Sequence, residues 1–356
     1  MSRKRLAVPT GGFRRIAVLR LSSLGDVVLS LPVVHSLKAA WPSAEITFWT
    51  HEEYGDLVAD DPALARVRLL ERDARRIEDV VSMGAELEDF DLIIDLHGNL
   101  RTRAMTFRQK APVLHAASYR LRRSRWVHAR WTRPRPVPPA TERMAAALAA
   151  VGVAVRGVPA VAVSGAARSW AAAHAARWGA GPPPIALCPG AKHATKRWPE
   201  AHWIALHDRL RGAGRRLVYF SPSWERALFP ALVRHVDADT GAEWCSEPLA
   251  RIAALIAHAG AAVTSDSGLM HLAAARGVPV VAIFGSTSPV LGFPPAGPGH
   301  VVLCRNLSCQ PCTLHGRDRC PLGHHACMTG ITPEQVADAA LSRGAGATAT
   351  MESPAS

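Results

Sequence analysis

The sequence predicts an α/β protein built from two parallel-sheet domains, and three observations predict it. Its 356 residues exceed what a single core usually supports. Short β-branched runs alternate with helix-length segments, and the alternation occurs twice. A stiff proline-rich stretch, RPRPVPPA (133–140), separates the two series. Hydrophobic residues make up 48% of the chain, enough for proper cores and too many for a disordered one. No run of 18 uncharged apolar residues occurs, so no membrane-spanning helix is expected. The basic start lacks an apolar stretch of signal-peptide length, so the expectation is a cytoplasmic protein with a short loose N-terminal arm.

The first series reads as strands at RRIAVLRL (14–21), AEITFWT (44–50), VRLLER (67–72), DLIIDLHG (91–98) and PVLHAASY (112–119). Directly after the first strand, LSSLGDVVLSLPVV places Asp26 at the opening of an apolar helix, with Ser23 beside it. The carboxyl end of a strand in such a fold borders the ligand crevice. Asp26 is therefore either a helix cap or a charge aimed into that crevice.

Eleven Lys and Arg residues and no Asp or Glu lie between Arg101 and Arg135. The chain carries +13 overall, so almost all the excess charge sits in this one segment. Phe107, Tyr119, Trp126 and Trp131 are interleaved with it. Such a segment suits an anionic partner: nucleic acid, a membrane surface or a phosphorylated substrate.

An Ala-rich helix near Thr141 to Val151 follows, and the domain boundary is expected between Val153 and Ala166. The second series reads as PIALCPG (184–190), RRLVYFS (215–221), AEWCS (242–246), AAVTSD (261–266) and VPVVAIFG (278–285). The tail GAGATATMESPAS reads as disordered. Neither G-x-G-x-x-G after a strand nor G-x-x-x-x-G-K-[ST] occurs, which argues against a dinucleotide dehydrogenase or a P-loop enzyme.

Two stretches of the second series carry chemistry. In CPGAKHATKRWPEAHW a strand ends at Cys188, and Lys192, Lys196 and Arg197 occupy the loop before the Trp198-Pro199 helix start. Cations at that position suit a diphosphate. In VTSDSGLMHLAAARGVPVVAIFGSTSP a strand runs into Asp266, Ser267 and Gly268, and a helix carrying Met270 and His271 follows. Small residues at a helix start let backbone N–H groups approach phosphate oxygens.

The ordered set S-S-L-G-D, P-G-A…K-R-W-P and D-S-G-L-M-H-L-A-A-A…P-V-V-A-I-F-G resembles the ADP-heptose:lipopolysaccharide heptosyltransferases, glycosyltransferase family 9, over roughly Arg14 to Val336. The resemblance implies a GT-B fold of two Rossmann-like domains facing across a cleft. Residues 13–158 would hold the acceptor and residues 159–343 the nucleotide sugar. It further implies an inverting, metal-independent transfer from ADP-heptose, with Asp26 as general base and Lys196 meeting the donor phosphates. Ser23, Lys192, Asp266, Ser267, Gly268, Met270 and His271 fall within the donor-side motifs, and Glu225 in SPSWER is placed opposite a glutamate that binds the nucleotide ribose. No cofactor is implied beyond the donor, and the expectation is that the D-x-D triplet of many metal-dependent sugar transferases is absent. The implied acceptor is the phosphorylated lipid A and inner core, met by peripheral contact at the inner face of the inner membrane, with no nucleic acid as partner. Charge alone leaves two alternatives open: another GT-B nucleotide-sugar transferase, or a basic nucleic-acid-binding protein.

Four of the seven cysteines, Cys309, Cys312, Cys320 and Cys327, cluster with His315, His324 and His325 nearby. In a cytosolic protein this favours a metal or redox role over disulfides. The spacing matches no established zinc pattern, so a structural metal, an iron–sulfur cluster and simple packing of reversible thiols all remain open.

Overall fold

The computed structural model describes residues 6–71, 77–129 and 135–344. The N-terminal arm in part, the tail, and Arg130, Trp131 and Arg133 of the basic segment lie outside the described residues. The first half contains β1 (Arg15–Leu19), α1 (Leu24–Ala40), β2 (Glu45–His51), α2 (Gly55–Val58), β3 (Arg66–Leu70), α3 (Ile77–Glu86), β4 (Leu92–Asp95), α4 (Leu100–Met105), β5 (Val113–His115), α5 (Arg120–His128) and α6 (Ala140–Ala145). The second contains α7 (Gly165–Ala176), β6 (Ile185–Cys188), α8 (Glu200–Gly212), β7 (Leu217–Phe220), α9 (Pro230–Asp237), β8 (Ala242–Cys245), α10 (Leu249–Ile256), β9 (Ala261–Ser265), α11 (Gly268–Ala275), β10 (Val280–Phe284), β11 (Val301–Cys304), α12 (Ala326–Thr329) and α13 (Pro333–Gly344).

The first sheet runs in the order β3-β2-β1-β4-β5 and the second β11-β10-β9-β6-β7-β8, and every recorded pairing is parallel. Parallel strands covered on both faces read as continuous apolar runs, and IALC of β6 and VVAIF of β10 are buried throughout. Each sheet reverses its strand order once, between β1 and β4 and between β6 and β9. Ligands bind at such switch points, beyond the carboxyl ends of the strands.

The ten expected strands are all present, trimmed at their ends, and an eleventh, β11, was not expected. Its four residues are half-buried on both sides and follow a Pro- and Gly-rich loop, so they carry no alternating signal. The Ala-rich helix is α6 followed by a 3₁₀ turn at Leu148–Val151.

Helix α8 begins at Glu200, with Pro199 at its cap position. Glu200 also serves a second helix: its Oε1 accepts the N–H groups of Ala231 and Leu232, 2.7 and 2.9 Å away, at the start of α9. Trp198 anchors the preceding loop. It is buried, donates from Nε1 to the Ile331 carbonyl (3.0 Å) and meets Trp203 edge-on.

Candidate functional site

The two switch points open onto one cleft of about 1230 Å³ between the domains. The helices that start there, α1 and α11, pack against each other, and glycine permits it. A Cβ on Gly25 would fall 2.5 Å from Cδ2 of His271, and one on Gly268 would fall 2.7 Å from Leu24. Gly268 therefore serves the contact between the domains, beyond leaving room for a ligand. Neither helix is capped by its N-cap side chain, Ser23 or Ser267. The buried Ser267 Oγ has no hydrogen-bond partner, and the first-turn N–H groups of α11 remain available to an anion.

Asp26 stands in the first turn of α1. Its Oδ2 lies 2.6 Å from Nη2 of Arg20 and accepts a hydrogen bond from Ser23 Oγ at 3.3 Å. Burial pushes the Asp26 carboxyl up, but the charge and hydrogen bond of Arg20 outweigh it, and the group is held below its ordinary 3.8. Arg20 is fixed in turn by the Leu96 carbonyl, just beyond β4.

On the opposite wall, Lys196 Nζ lies 2.9 Å from Oδ2 of Asp266, which also accepts from Thr287 Oγ1 at 2.5 Å. His271, one turn into α11, is buried and its Nδ1 has no partner. Burial lowers its pKa to about 4 against the opposing pull of Asp266 and Asp26, so the ring is neutral at physiological pH. Lys192 is exposed at the cleft edge, and its carbonyl accepts from Arg197 (3.1 Å).

Glu225 borders the same cleft. Burial raises its carboxyl to about 7, with Arg197 pulling the other way. A Cβ at Gly190 would fall 1.5 Å from Glu225 Oε2, so the Pro189-Gly190 turn accommodates this carboxyl through its missing side chain.

Met270 is the one expected site residue that does not reach the cleft. It is fully buried in the apolar core, because the first turn of α11 carries this side chain inward while His271 meets α1. Ser23, Asp26, Lys192, Lys196, Glu225, Asp266, Ser267, Gly268 and His271 all line the cleft.

Several groups in or just behind the cleft wall escaped the sequence reading. Asp95, at the end of β4, is buried; its Oδ1 accepts the N–H groups of His97 and Gly98 and its Oδ2 accepts from Thr102 Oγ1 (3.0 Å). His97 borders the cleft, and burial, aided by Arg20, lowers its pKa to about 4. The D-L-H-G-N run after an apolar strand repeats the strand-end carboxylate pattern around Asp26 and was the available signal.

Arg20, Arg120, Arg123 and Arg143 converge on the first domain's wall. Arg143 is buried and stacks on Phe293 of the second domain, 4.9 Å from the ring centre. Burial and the charge of Arg123 lower the Arg143 pKa to about 10, still charged at neutral pH. The expectation of one arginine surface is thereby divided: Arg120 and Arg123 face the cleft, whereas Arg122 and Arg125 do not line it.

The expected absence of D-x-D triplets is corrected: two occur, at Asp89-Phe90-Asp91 and Asp237-Ala238-Asp239, but they precede the amino ends of β4 and β8 and do not line the cleft. Asp91 accepts from the Arg14 and Arg15 N–H groups, and Asp239 from Arg211.

The profile of glycosyltransferase family 9 (heptosyltransferase) matches residues 83–321. Lipopolysaccharide heptosyltransferase 1 of Pseudomonas aeruginosa is 30% identical over 314 residues, which cover 84% of this chain and 86% of the relative. The chain belongs to glycosyltransferase family 9. Among solved structures, the family 9 glycosyltransferase of Veillonella parvula superposes with a TM-score of 0.76 at 20% identity, covering 94% of this chain and 98% of that one. The Escherichia coli ADP-heptose lipopolysaccharide heptosyltransferase II superposes with a TM-score of 0.70 at 22% identity, covering 94% and 100%. The fold of this family 9 member is thus GT-B, as its motifs imply, and the chain is a transferase.

Its four clustered cysteines line one small pocket behind the lysine loop, together with His324 and His325. All seven cysteines are free thiols, and burial with the nearby Cys312, Cys309 and Cys320 pushes the Cys327 thiol up to about 12. Among the described residues, metal-capable atoms gather within 4.8 Å of one another at His207, Asp208 and His235 rather than at the cysteines. The cysteine segment braces the site. Arg317 N–H donates to Thr195 Oγ1 (2.8 Å), and Gln310 Nε2 donates to the Gly285 and Thr287 carbonyls (2.5 and 3.0 Å).

Proposed function

We propose that the protein transfers a heptosyl group from ADP-heptose to the inner core of lipopolysaccharide, with inversion and without a metal ion. The observation that carries this reading is the division of the cleft. One wall offers an uncapped helix start, Lys196 and Glu225 to a nucleotide diphosphate, and the other offers crowded guanidinium groups to an anionic acceptor, with Asp26 at their meeting point. Arg20, Arg120, Arg123 and Arg143 crowd one part of this wall, where Asp26 is ion-paired to Arg20, and an acceptor phosphate or carboxylate relieves their mutual repulsion. The Pseudomonas relative is named for lipopolysaccharide and the Escherichia coli structure for ADP-heptose, which supports both substrates.

In the reaction the acceptor hydroxyl oxygen attacks the anomeric carbon as the bond from that carbon to the β-phosphate oxygen breaks. The hydroxyl proton passes to Asp26, and ADP leaves with the bonding electron pair. Lys196, shared with Asp266, and the first N–H groups of α11 stabilise the charge that grows on the diphosphate, the part a divalent ion plays in D-x-D transferases. Ser23 orients Asp26, Glu225 accepts from the ribose, and His271 stays neutral between the two aspartates. Residues 13–158 then form the acceptor domain and residues 159–343 the donor domain. The lipid-linked acceptor places the protein in peripheral contact with the inner face of the inner membrane.

Incubation with ADP-heptose and truncated core lipopolysaccharides, followed by mass spectrometry, tests the reading. A product heavier by one heptosyl unit, formed with the ADP sugar and not with UDP or GDP sugars, is expected. Transfer from a UDP or GDP sugar alone would replace it with a different nucleotide-sugar specificity.

A further inference from the structure

We propose that the outward face of α4 and α5 docks on the surface of an anionic lipid bilayer, with Leu100, Phe107 and Leu121 entering the interface among arginines. The inference rests on the lipid-linked acceptor of the preceding reading and adds the surface that meets the lipid. Leu100, Phe107 and Leu121 are 88%, 71% and 83% exposed. Single exposed apolar side chains are ordinary, but these three fall within one short basic stretch. Arg120 Nη2 donates to the Gly98 carbonyl at 2.8 Å, which ties the start of α5 to the start of α4.

Helix α5 has two different faces. Arg120, Arg123 and Ser124 line the cleft and Val127 is buried, whereas Leu121 and Arg125 are exposed and Arg122 lies outside the cleft lining. One helix thereby divides its arginines between the acceptor and a second surface. From Arg101 to Arg135 the sequence itself holds no Asp or Glu, so the segment complements anionic headgroups. Nucleic acid calls for aromatic rings on which bases stack, yet two of the three apolar side chains are leucines. Leucine and phenylalanine flanked by arginine are the side chains that enter a headgroup–acyl boundary. Because α5 lines the cleft with Arg120 and Arg123 and carries Leu121 on its exposed side, a protein docked by this helix keeps its acceptor wall next to the membrane surface.

The test measures sedimentation of the full chain with phosphatidylethanolamine vesicles, with and without phosphatidylglycerol, alongside turnover on a deacylated, water-soluble acceptor. Wild type binds the phosphatidylglycerol vesicles. The triple variant Leu100→Ser, Phe107→Ser, Leu121→Ser binds at least about tenfold more weakly. Arg122→Gln with Arg125→Gln loses about 10- to 30-fold on phosphatidylglycerol vesicles, an effect that added salt reproduces in wild type. Both variants keep turnover on the soluble acceptor within about twofold, because none of the five side chains lines the cleft. Vesicle binding equal to wild type in the triple variant, or absent in wild type, overturns the proposal. So does a wild-type dimer that the triple variant abolishes without any vesicle binding, which would make this face an interface between copies. Loss of wild-type turnover on the soluble acceptor strikes the functional reading instead, and the vesicle result stands apart from it.

Discussion

Replacing Asp26 by Asn keeps the shape of the side chain and removes its charge and basicity. Asp26 is ion-paired to Arg20 at 2.6 Å, with the two side chains 20% and 12% exposed. A positioned base contributes roughly 10²- to 10⁴-fold, so turnover should fall by that factor, equivalent to about 3–5 kcal/mol of barrier. The donor wall is built from other elements, so the ADP dissociation constant should change less than about twofold. Stability should also fall, by about 1–3 kcal/mol, because Arg20 keeps only the Leu96 carbonyl and joins the repulsion among the cleft arginines. The pH dependence fixes the assignment. Arg20 holds the Asp26 pKa below 3.8, so the carboxylate stays ionised from alkaline to mildly acidic solution, and kcat/KM should decline only as pH falls through that lowered value. Replacing Arg20 by Leu leaves burial opposed only by Ser23 and His271 and should move this acid limb toward neutrality. Mass-spectrometric product formation and titration with ADP, both with unfolding monitored, supply the readings. An Asp26→Asn enzyme within tenfold of wild type, or an acid limb that does not move in the Arg20 variant, would reduce Asp26 to an ion-pair partner.

Lys196→Met should weaken ADP binding by about 10- to 100-fold while leaving binding of the acceptor alone unchanged; equal loss for both ligands would contradict the division of the walls. Turnover should persist in EDTA with unfolding followed in parallel, and activity restored only by Mg²⁺ or Mn²⁺ would refute the metal-free mechanism. Burial raises the Glu225 pKa from 4.5 to about 7, so the folded state holds a proton that the unfolded state loses over that window, and wild type should lose stability as pH rises through it. Glu225→Gln removes the dependence; denaturation at about pH 5 and about pH 8 should show a difference of about 2–3 kcal/mol accumulating against wild type, and parallel curves would refute it.

The parts of the site legible in the sequence were those punctuated by strand ends. Asp26, the Lys192–Lys196 loop and the Asp266–Gly268 turn each follow an apolar run directly, so their place at a crevice followed from the alternation of elements. Arg143 was not legible, because it approaches the cleft through tertiary packing rather than spacing, whereas Arg20 and Thr287 stand just past the ends of β1 and β10. Asp95 and His97 could have been found by the same strand-end rule. Met270 shows the limit of carrying a whole motif onto one site: its neighbour faces the cleft while its own side chain fills the core. The run of arginines revealed the charge but not its two directions, which depend on how α5 lies against the cleft.

The close approach of Gly25 to His271 and of Gly268 to Leu24 would serve as a fulcrum beside the reacting centre. Were one domain to rock on the other about this point, the distant rims would sweep through the largest arc, while Asp26 and the Asp266 turn would hardly separate. A bulky lipid-linked acceptor would then be admitted by a wide swing at the mouth without losing the alignment of base and leaving group. The same leverage makes either glycine a poor place for a larger residue, since a wedge near a hinge pin opens the far end most.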